Sequence, residues 1–336
     1  MSARLREIAR QTEEIVAAGS YRASDGREVS IAAAVTAARQ GTRMYGPGPV
    51  EIPPISPVET PRAGPADASP TGPAGASPTS PADASWPSRA ALPQLSPVAP
   101  SQPSPAGPSP VGPPDTFFEV TGESSLEAAR RLPGPVAVLN FASARNPGGG
   151  YLNGAQAQEE ALCRASALYA CVAGVREFYD HHRTHRDAFY TDRVIHSPAV
   201  PVFRDDRGQL LDEPYTAGFL TSAAPNAGVV LRTAPERAPE LPGALASRAE
   251  RVLETAAAHG YRRLVLGAWG CGVFRHDPAQ VAGAFRTLLT DGGRFADSFE
   301  HIVFGVLDRT KGAVVRSAFE RAFLEVLETK GAQRQP

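Results

Sequence analysis

The sequence predicts an α/β domain in which a mixed, mostly parallel sheet carries helices on both faces. Short apolar runs of strand length alternate with stretches of helical periodicity over most of the 336 residues, a pattern typical of a parallel sheet covered by helices. The run Val136–Ser143 (VAVLNFAS) is apolar almost throughout, as expected for a strand buried on both faces. Ligands of such sheets bind beyond the carboxyl ends of the strands, so the loops at that edge are the first candidates for a functional site.

The predicted elements follow one another in a regular order. Residues 1–50 predict two helices, or a helix and a helical turn, before a short extended piece at Thr42–Tyr45. Further strands are predicted at 116–121, 136–143, 194–196, 200–203, 218–222, 263–267 and 302–307, and helices at 124–132, 158–179, 244–259, 278–290 and 312–328. The loops after 136–143 and after 263–267 are the two richest in glycine.

A Pro-, Ala- and Ser-rich stretch interrupts this pattern. Of the 33 prolines, 19 lie between Pro53 and Pro114. Proline removes a backbone donor and fixes φ, so neither helix nor sheet propagates, and alanine buries too little surface to offset the entropy of ordering. We expect residues 53–114 to be a disordered or polyproline-II-like insertion, with a docking tract for SH3-like modules as the alternative. It separates an N-terminal helical segment (1–50) from the core at 115–330, on which that segment packs.

Charge and composition exclude several classes of protein. Lys+Arg number 34 and Asp+Glu 35, a net charge of −1, which argues against broad nucleic-acid binding and direct DNA partners. No apolar core of signal-peptide type and no run of 18 apolar residues is present. Cys163, Cys171 and Cys271 form neither an even disulfide set nor a CxxC pair. The sequence predicts a cytoplasmic monomer without a membrane partner.

The first candidate loop combines glycines with adjacent carboxylates. Gly148–Gly150 allow the backbone to approach a ligand with no Cβ in the way. After a spacer of seven residues, Gln158–Glu160 open a predicted helix. Acidic residues in a first helical turn are explained by the helix dipole alone, but that explanation leaves the preceding Pro-Gly-Gly-Gly unaccounted for.

This loop resembles the signature of poly(ADP-ribose) glycohydrolases, three glycines followed after six to eight residues by Gln-Glu-Glu. The preceding LNFASARNP is similar to the family's strand leading into the loop. The resemblance to the microbial branch extends to the N-terminal helices and to the segments TFFEVTGESSLEAARRL, YTDRVIHSPAVPVFRDD and LGAWGCGVFRHDP. It covers nearly the whole chain except the Pro-rich insertion.

The resemblance implies a macrodomain fold and hydrolysis of the ribose–ribose bond of poly(ADP-ribose). By implication Glu160 is the general acid/base, Glu159 orients the ribose hydroxyls, and Gly148–Gly150 with Gln158 complete this side of the substrate site. Partners are then poly(ADP-ribose) or ADP-ribosylated proteins. Because no ligand set of zinc or di-metal type is visible in the sequence, we expect catalysis without a metal or cofactor. A reader domain that binds ADP-ribose without cleaving it and a hydrolase that removes mono-ADP-ribose from proteins remain alternatives.

The second candidate loop runs from Gly267 to Phe274 and precedes a predicted helix near Pro278. Its glycines expose backbone amides and a helix N-terminus, which suits a pyrophosphate. It is neither a Rossmann fingerprint nor a Walker loop. By resemblance this loop grips the diphosphate, and Phe274 packs beside a ribose unless it is a core residue that caps the helix. The substrate-binding residues expected here are Gly270, Cys271, Gly272, Val273 and Phe274.

Several other polar residues have competing interpretations. Asn140 stands inside an apolar strand, where a bare amide is costly; it either satisfies the adjoining loop or, as the resemblance favours, contacts a ligand ribose. Asn226, after a proline, is expected to form a turn. His181, His182 and His185 lie in a charged run without a metal-binding pattern, so a solvated helix surface is expected.

Overall fold

The computed structural model describes residues 2–53, 116–290 and 292–332, with side chains as far as residue 324. The predicted insertion lies outside these residues from position 54 onward. Contacts join the chain up to residue 53 with the chain from residue 113 into one compact unit.

The elements alternate largely as predicted. The strands are β1 (Ser20–Arg22), β2 (Glu28–Ser30), β3 (Arg43–Tyr45), β4 (Phe117–Thr121), β5 (Val136–Phe141), β6 (Val194–Arg204), β7 (Leu210–Ser222), β8 (Arg263–Leu266) and β9 (His301–Gly305). The helices are α1 (Ala3–Ala18), α2 (Ala32–Gly41), α3 (Ser125–Arg131), α4 (Gln158–Ala165), α5 (Leu168–Val172), α6 (Arg176–Thr184), α7 (Ala227–Thr233), α8 (Leu241–Ala258), α9 (Pro278–Leu289) and α10 (Val314–Ala332).

Seven of the strands form one mixed sheet in the order β3-β6-β7-β5-β8-β9-β4. The pairings β7-β5, β5-β8, β8-β9 and β9-β4 are parallel, whereas β3-β6 and β6-β7 are antiparallel. The mostly parallel sheet is therefore confirmed, and β5 lies at its centre. Because β5 and β8 are parallel neighbours, the two glycine-rich loops leave the same edge of the sheet side by side.

Two apolar cores flank the sheet, one on each face. Alternate side chains of β5 enter opposite cores, because successive residues of a strand point to opposite faces. Val136 and Val138 pack with α1–α6, and Ala137 and Leu139 pack with α8, α9 and α10. This arrangement is the three-layer α/β sandwich that the sequence predicted.

The predicted helix 158–179 was wrong in its length. The structure divides it into α4, α5 and α6. Ser166 is extended (φ −145°, ψ 176°) and forms a bridge with Val202 of β6, while the Ala167 N–H donates to the Pro201 carbonyl at 3.1 Å. Pairing with the sheet thus replaces the helical hydrogen bonds at this point, which helical periodicity alone does not reveal.

Other differences concern strand ends and short elements. The predicted strands 194–196 and 200–203 are one strand, β6, with an irregular register between Ser197 and Val200. β7 begins at Leu210, eight residues before the predicted start at 218, because it pairs along the length of β6. The β1–β2 hairpin and α7 were not predicted. None of the helices in the described part of the chain is both long enough and apolar enough to cross a membrane.

Candidate functional site

A cavity of about 800 Å³ opens at the carboxyl edge of the sheet. Its walls come from the ends of three neighbouring strands, β5, β8 and β9, and from the start of α4. Phe141, Ala142 and Gln158 lie on one side and the Gly270–Phe274 loop on another. Glu159 and Glu160 are not among the lining residues; they lie in the first turn of α4 beside Gln158. The structure thus brings the second predicted loop and the two ends of the first to one cavity, whereas Asn140 and Gly148–Gly150 are also absent from its lining.

The glycine loop is folded against the two glutamates. Gly148 and Gly149 have φ of 64° and 59°, a left-handed conformation that glycine adopts without strain. A Cβ on Gly149 would lie 2.5 Å from Glu160 Oε1 and 3.1 Å from Glu159 Oε2. Glycine is therefore required here by the close approach of the carboxylates.

The two glutamates are held differently. Glu160 is 8% exposed, and its Oε1 accepts the Gly150 N–H at 2.9 Å. Its Oε2 has no hydrogen-bond partner among the described residues. Glu159 is 3% exposed and uses both oxygens: Oε2 accepts the Ser143 N–H at 2.7 Å, and Oε1 accepts Asn140 Nδ2 at 3.4 Å. Adjacent helix residues point about 100° apart, and the two carboxylates accordingly have separate environments.

Burial dominates the electrostatics of Glu159. Desolvation raises the pKa of Glu159 to about 8, against the opposing effect of the Ser143 N–H and with a further contribution from the negative charge of Glu160. Burial therefore favours the protonated form of Glu159. The helix dipole at the start of α4 does not outweigh this effect.

Gln158 joins α4 to the end of β5. Its Oε1 accepts the Phe141 N–H at 2.9 Å, and its Nε2 donates to the Leu139 carbonyl at 2.8 Å and to Ser125 Oγ at 3.1 Å. The pairing of β5 with β8 extends only as far as Val138. Beyond that residue the Gln158 side-chain amide forms the hydrogen bonds with the β5 backbone that β8 no longer forms. Gln158 positions the first turn of α4 as well as lining the cavity.

Asn140 contributes to the same network from inside β5. It is fully buried, and its Nδ2 donates to Thr221 Oγ1 at 3.1 Å and to Glu159. Its Oδ1 has no partner in the described part of the chain. Because a buried amide oxygen normally has a donor, this one is poised for a hydroxyl or amide donor from outside the protein.

The second loop offers unused backbone donors. The amides of Gly272, Val273 and Phe274 have no acceptor within the residues that the structure describes, whereas Cys271 and Arg275 donate to loop carbonyls. Successive backbone amides without internal acceptors are the kind of donors that phosphates bind. The following helix, α9, is capped by Asp277, whose side chain accepts the Ala279 N–H at 3.0 Å. An acidic cap disfavours an anion there, so the loop amides rather than the helix N-terminus are the candidate phosphate donors.

The side chains of this loop differ in their burial. Trp269 is buried and donates from Nε1 to the Ser222 carbonyl at 3.1 Å, which anchors the loop to the end of β7. Val273 is 81% exposed, and Phe274 is half-buried, lines the cavity and lies 6.0 Å from the Tyr190 ring. The Cys271 thiol has a pKa raised to about 12 by burial, which removes it as a nucleophile at neutral pH.

The histidines follow the expectation only in part. His182 was expected on a solvated surface, but it is buried, and its ring contacts the Phe178 carbonyl and Thr191 Oγ1. His181 and His185 stack at 4.0 Å. No group of three or more potential metal ligands occurs among the described residues. Asn226 caps α7 by accepting the Val229 N–H at 3.1 Å, as its turn-forming position suggested.

A third loop of the cavity was not predicted. Residues 306–310, after β9, line it together with Ser124 and Asp206. Asp308 accepts N–H bonds from Thr310, Val315 and Arg316 and so holds the start of α10. Burial opposes ionisation of Asp308, but these bonds outweigh it and hold its pKa at about 2. The strand-end rule would have pointed to this loop if it had been applied to β9 as well as to the glycine-rich loops.

Comparisons with known proteins agree with this geometry. Residues 9–205 match the family described as microbial-type PARG, catalytic domain. The crystal structure of poly(ADP-ribose) glycohydrolase from Thermomonospora curvata is 41% identical, with a TM-score of 0.73, over 96% of this chain and 100% of that one. The structure of the same enzyme bound to the inhibitor ADP-HPD matches with a TM-score of 0.72. The enzyme from Deinococcus radiodurans in complex with ADP-ribose is 49% identical, with a TM-score of 0.61, over 64% of this chain and 87% of that one. The search of curated proteins found no match.

Proposed function

This chain belongs to the family of microbial-type poly(ADP-ribose) glycohydrolases, and on that basis we propose that it hydrolyses the ribose–ribose bond of poly(ADP-ribose) with Glu160 as the general acid/base. The observation that carries the assignment is the asymmetry of the two glutamates. Glu160 has one oxygen fixed by the Gly150 N–H and the other without a partner among the described residues. Both oxygens of Glu159 are engaged by the protein.

The proposed reaction has two proton transfers at Glu160. Protonated Glu160 donates its proton to the leaving ribose oxygen as the glycosidic bond breaks and positive charge develops at the anomeric carbon. The resulting carboxylate then accepts a proton from the attacking water, whose oxygen bonds to that carbon. The acid is thereby restored, and no cofactor enters the balance. Gly150 keeps the carboxyl group in one orientation through both steps.

Glu159 has a different role in this proposal. Its raised pKa keeps it protonated at neutral pH, so it contacts a ribose hydroxyl as a neutral group. The unpartnered Asn140 Oδ1 next to it accepts a hydroxyl hydrogen from the same sugar. These contacts orient the ribose relative to Glu160.

The diphosphate of the substrate is assigned to the second loop. The free amides of Gly272–Phe274 donate to phosphate oxygens without adding net charge. Phe274 packs beside the ribose, in keeping with its half-buried position in the cavity wall. Gly270 and Cys271 shape the turn that presents these amides. Gly148–Gly150 shape the turn that lies against the two glutamates.

We further propose that the partners are poly(ADP-ribose) or ADP-ribosylated proteins and that the protein is a cytoplasmic monomer. All three cysteines are free, and Cys163 and Cys171 are buried, which supports a reducing compartment. The residues before 50 and after 115 are proposed to work as one catalytic unit, because α1 and β3 contact the same core as the later elements.

The first test is the substitution Glu160→Gln. It preserves the size of the side chain and the contact with the Gly150 N–H but removes the exchangeable acidic proton. Because general acid–base groups contribute about 10²–10⁴-fold, we expect turnover of poly(ADP-ribose) to fall by at least roughly 100-fold. The affinity for ADP-ribose, measured by calorimetry on the same preparation, should change little.

The matched control is Glu177→Gln, which removes an exposed acidic residue from the first turn of α6. If the glutamates of α4 acted only on the helix dipole, both substitutions would cost a few tenths to about 1 kcal/mol of stability and leave turnover intact. A fully active Glu160→Gln protein refutes the proposed mechanism. A wild-type protein that binds ADP-ribose but never releases it from the polymer is a reader instead.

A further inference from the structure

A second cavity, of about 410 Å³, lies beside the turn that connects β6 and β7. Four arginines line it, from three separate parts of the fold. Arg4 comes from α1, Arg22 from β1, and Arg204 and Arg207 from the end of β6 and the turn after it. No Asp or Glu is among its lining residues in the described chain. For a protein with a net charge of −1, this is a strong local excess of positive charge.

Arg204 is the buried member of the group. It is 5% exposed, and its guanidinium donates to the Gly208 carbonyl at 2.7 Å, to Thr12 Oγ1 at 3.2 Å and to Gln11 Oε1 at 3.5 Å. All three acceptors are neutral, so no carboxylate neutralises the charge at hydrogen-bond distance. Burial lowers the pKa of Arg204, while the charges of Tyr151 and of the neighbouring Asp205 act in the opposite direction. A buried guanidinium that no carboxylate contacts directly is costly, and an anion in the cavity would relieve that cost.

The three remaining arginines are exposed and also lack carboxylate partners among the described residues. Arg4 donates to the Arg207 carbonyl at 3.0 Å, and Arg22 donates weakly to the Gly26 carbonyl at 3.5 Å. Asp205 is the acidic residue next to Arg204 in the chain. Its Oδ1 accepts the Arg207 and Gln209 N–H groups and closes the turn, so this oxygen is already engaged.

The position of this arginine cavity relates it to the first cavity. The β6–β7 turn contributes to both: Asp206 lines the cavity at the carboxyl edge, and Arg207 lines the arginine cavity. α1 provides a second connection, because the Ser2 N–H donates to the Gly154 carbonyl at 3.1 Å, just beyond the glycine loop. The two cavities therefore share the β6–β7 turn, with adjacent residues of that turn facing each of them.

We propose that the arginine cavity binds a pyrophosphate of poly(ADP-ribose) outside the unit being cleaved, and so favours polymer over a single ADP-ribose. The proposal rests on the proposed function for the identity of the polymer. Guanidinium groups bind phosphate oxygens in a bidentate manner, and each repeat of this polymer carries two phosphates. The cavity would hold one such group, with Arg204 at its base and the exposed arginines around it.

The test compares two triple variants with equal change in charge. The first is Arg4→Gln/Arg22→Gln/Arg207→Gln, which leaves the buried Arg204 in place. The control replaces three exposed helical arginines outside the cavity, in the combination Arg39→Gln/Arg176→Gln/Arg232→Gln. Both are made in the Glu160→Gln background, and dissociation constants are measured for labelled poly(ADP-ribose), for ADP-ribose and for single-stranded RNA at several salt concentrations.

We expect the first triple variant to bind the polymer roughly tenfold or more weakly, with ADP-ribose affinity unchanged. The slope of log Kd against log salt should fall by about 1, since roughly 0.7 counterions are released for each phosphate contacted on a single strand. The control should bind the polymer like its parent. Turnover of the Glu160→Gln parent is measured first, so that cleavage of the polymer by this parent would contradict the proposed catalytic role and not the role of the arginine cavity.

Three outcomes overturn the proposal. Polymer affinity equal in the two triple variants shows that the cavity has no such role. Equal loss of polymer and ADP-ribose affinity places the effect in the first cavity or in the fold. Loss of RNA affinity with retained polymer affinity makes this a nucleic-acid site. If the triple variant does not fold, the single variants Arg22→Gln and Arg207→Gln are measured in the same way, each expected to show a smaller loss restricted to the polymer.

Discussion

Glu159 and Glu160 are adjacent in the chain but differ in their access to solvent and in their partners. Glu159 is enclosed by Asn140, Ser143 and the glycine loop, and burial keeps it protonated near neutral pH. Glu160 receives one backbone donor and keeps one oxygen without a partner among the residues that the structure describes. The resemblance of the motif indicated which residues to consider, and the difference in surroundings supports giving them different roles.

The raised pKa of Glu159 has a consequence for stability that can be measured. The folded protein holds a proton on Glu159 up to a pH of about 8, whereas the unfolded chain releases it near pH 4.5. The stabilisation is therefore complete below pH 4.5 and is lost as the pH rises toward 8. We expect Glu159→Gln to remove this dependence, so that the difference in unfolding free energy between the two proteins changes by on the order of 4 kcal/mol from pH 4.5 to pH 8.5.

Denaturant unfolding at both pH values measures this difference. Glu177→Gln serves again as the control, because an exposed glutamate should leave the pH dependence of the wild type unchanged. If the unfolding free energies of the wild type and Glu159→Gln changed equally between the two pH values, Glu159 would be ionised in the folded protein throughout this range.

For individual residues, the sequence was sufficient to predict the candidate glutamates but not the contacts that surround them. A glycine was expected to admit a ligand, yet the Cβ that Gly149 lacks would collide with Glu160. Asp308 was missed because its loop follows β9 and is not rich in glycine, although its N–H donors lie only two to eight residues along the chain. The close approach of Gly149 to Glu160, in contrast, leaves no trace in local composition.

At the level of elements, α1 supports the glycine loop from outside the sheet. The Tyr151 hydroxyl donates to Glu13 Oε1 at 2.9 Å and lies 3.1 Å from the Ala9 carbonyl. Tyr151 directly follows Gly150, whose N–H holds Glu160. Helical periodicity predicted helices in the N-terminal segment, but it could not reveal this contact. The same limitation explains the single helix predicted over 158–179, which the sheet interrupts at Ser166.

We expect Tyr151→Phe to loosen the glycine loop. The substitution removes a hydrogen bond to a half-buried carboxylate, which should lower the free energy of unfolding by about 1–3 kcal/mol. Turnover should fall as well, because Gly150 orients Glu160 less firmly. Thermal unfolding and initial rates on poly(ADP-ribose) measure the two effects.

Tyr169→Phe is the appropriate comparison. Its ring lies 5.2 Å from that of Tyr151, but its hydroxyl has no hydrogen bond within the described residues. We expect near-normal stability and turnover for this variant. Equal behaviour of the two substitutions would show that α1 does not act on the catalytic loop through the hydroxyl.

In the whole molecule, β3 and β4 are successive strands of the main sheet but occupy its opposite edges. Six strand spacings separate them, about 29 Å at 4.8 Å per step. The chain is anchored on each side of the Pro-rich stretch. Before it, the Val50 N–H donates to Glu254 Oε2 at 3.0 Å, and after it, β4 pairs with β9. Alternation of strands and helices predicted the layers of this fold, whereas strand order depends on pairings between distant segments.

We expect stability and turnover to depend on the length of the insertion, which must connect β3 with β4, and little on its sequence. Replacing residues 54–112 by a Gly/Ser linker of about 20 residues, which spans the sheet with ease at about 3.3 Å per residue, should leave the melting temperature and turnover nearly unchanged. Direct joining of Pro53 to Pro113 leaves little slack and should lower the melting temperature. Loss of stability or activity with the long linker as well would show that the natural stretch makes stabilising contacts.

The placement of β3 and β4 also makes the first 53 residues an internal binding partner of the remaining chain. They supply a strand of the sheet, the anchor for Tyr151 and two of the four arginines of the second cavity. Their association is governed by the effective concentration that the connecting chain maintains. A single cut in that connection would turn one molecule into a two-chain complex. Dilution would then separate α1, which anchors Tyr151, from the part of the chain that carries both the glycine loop and the two glutamates.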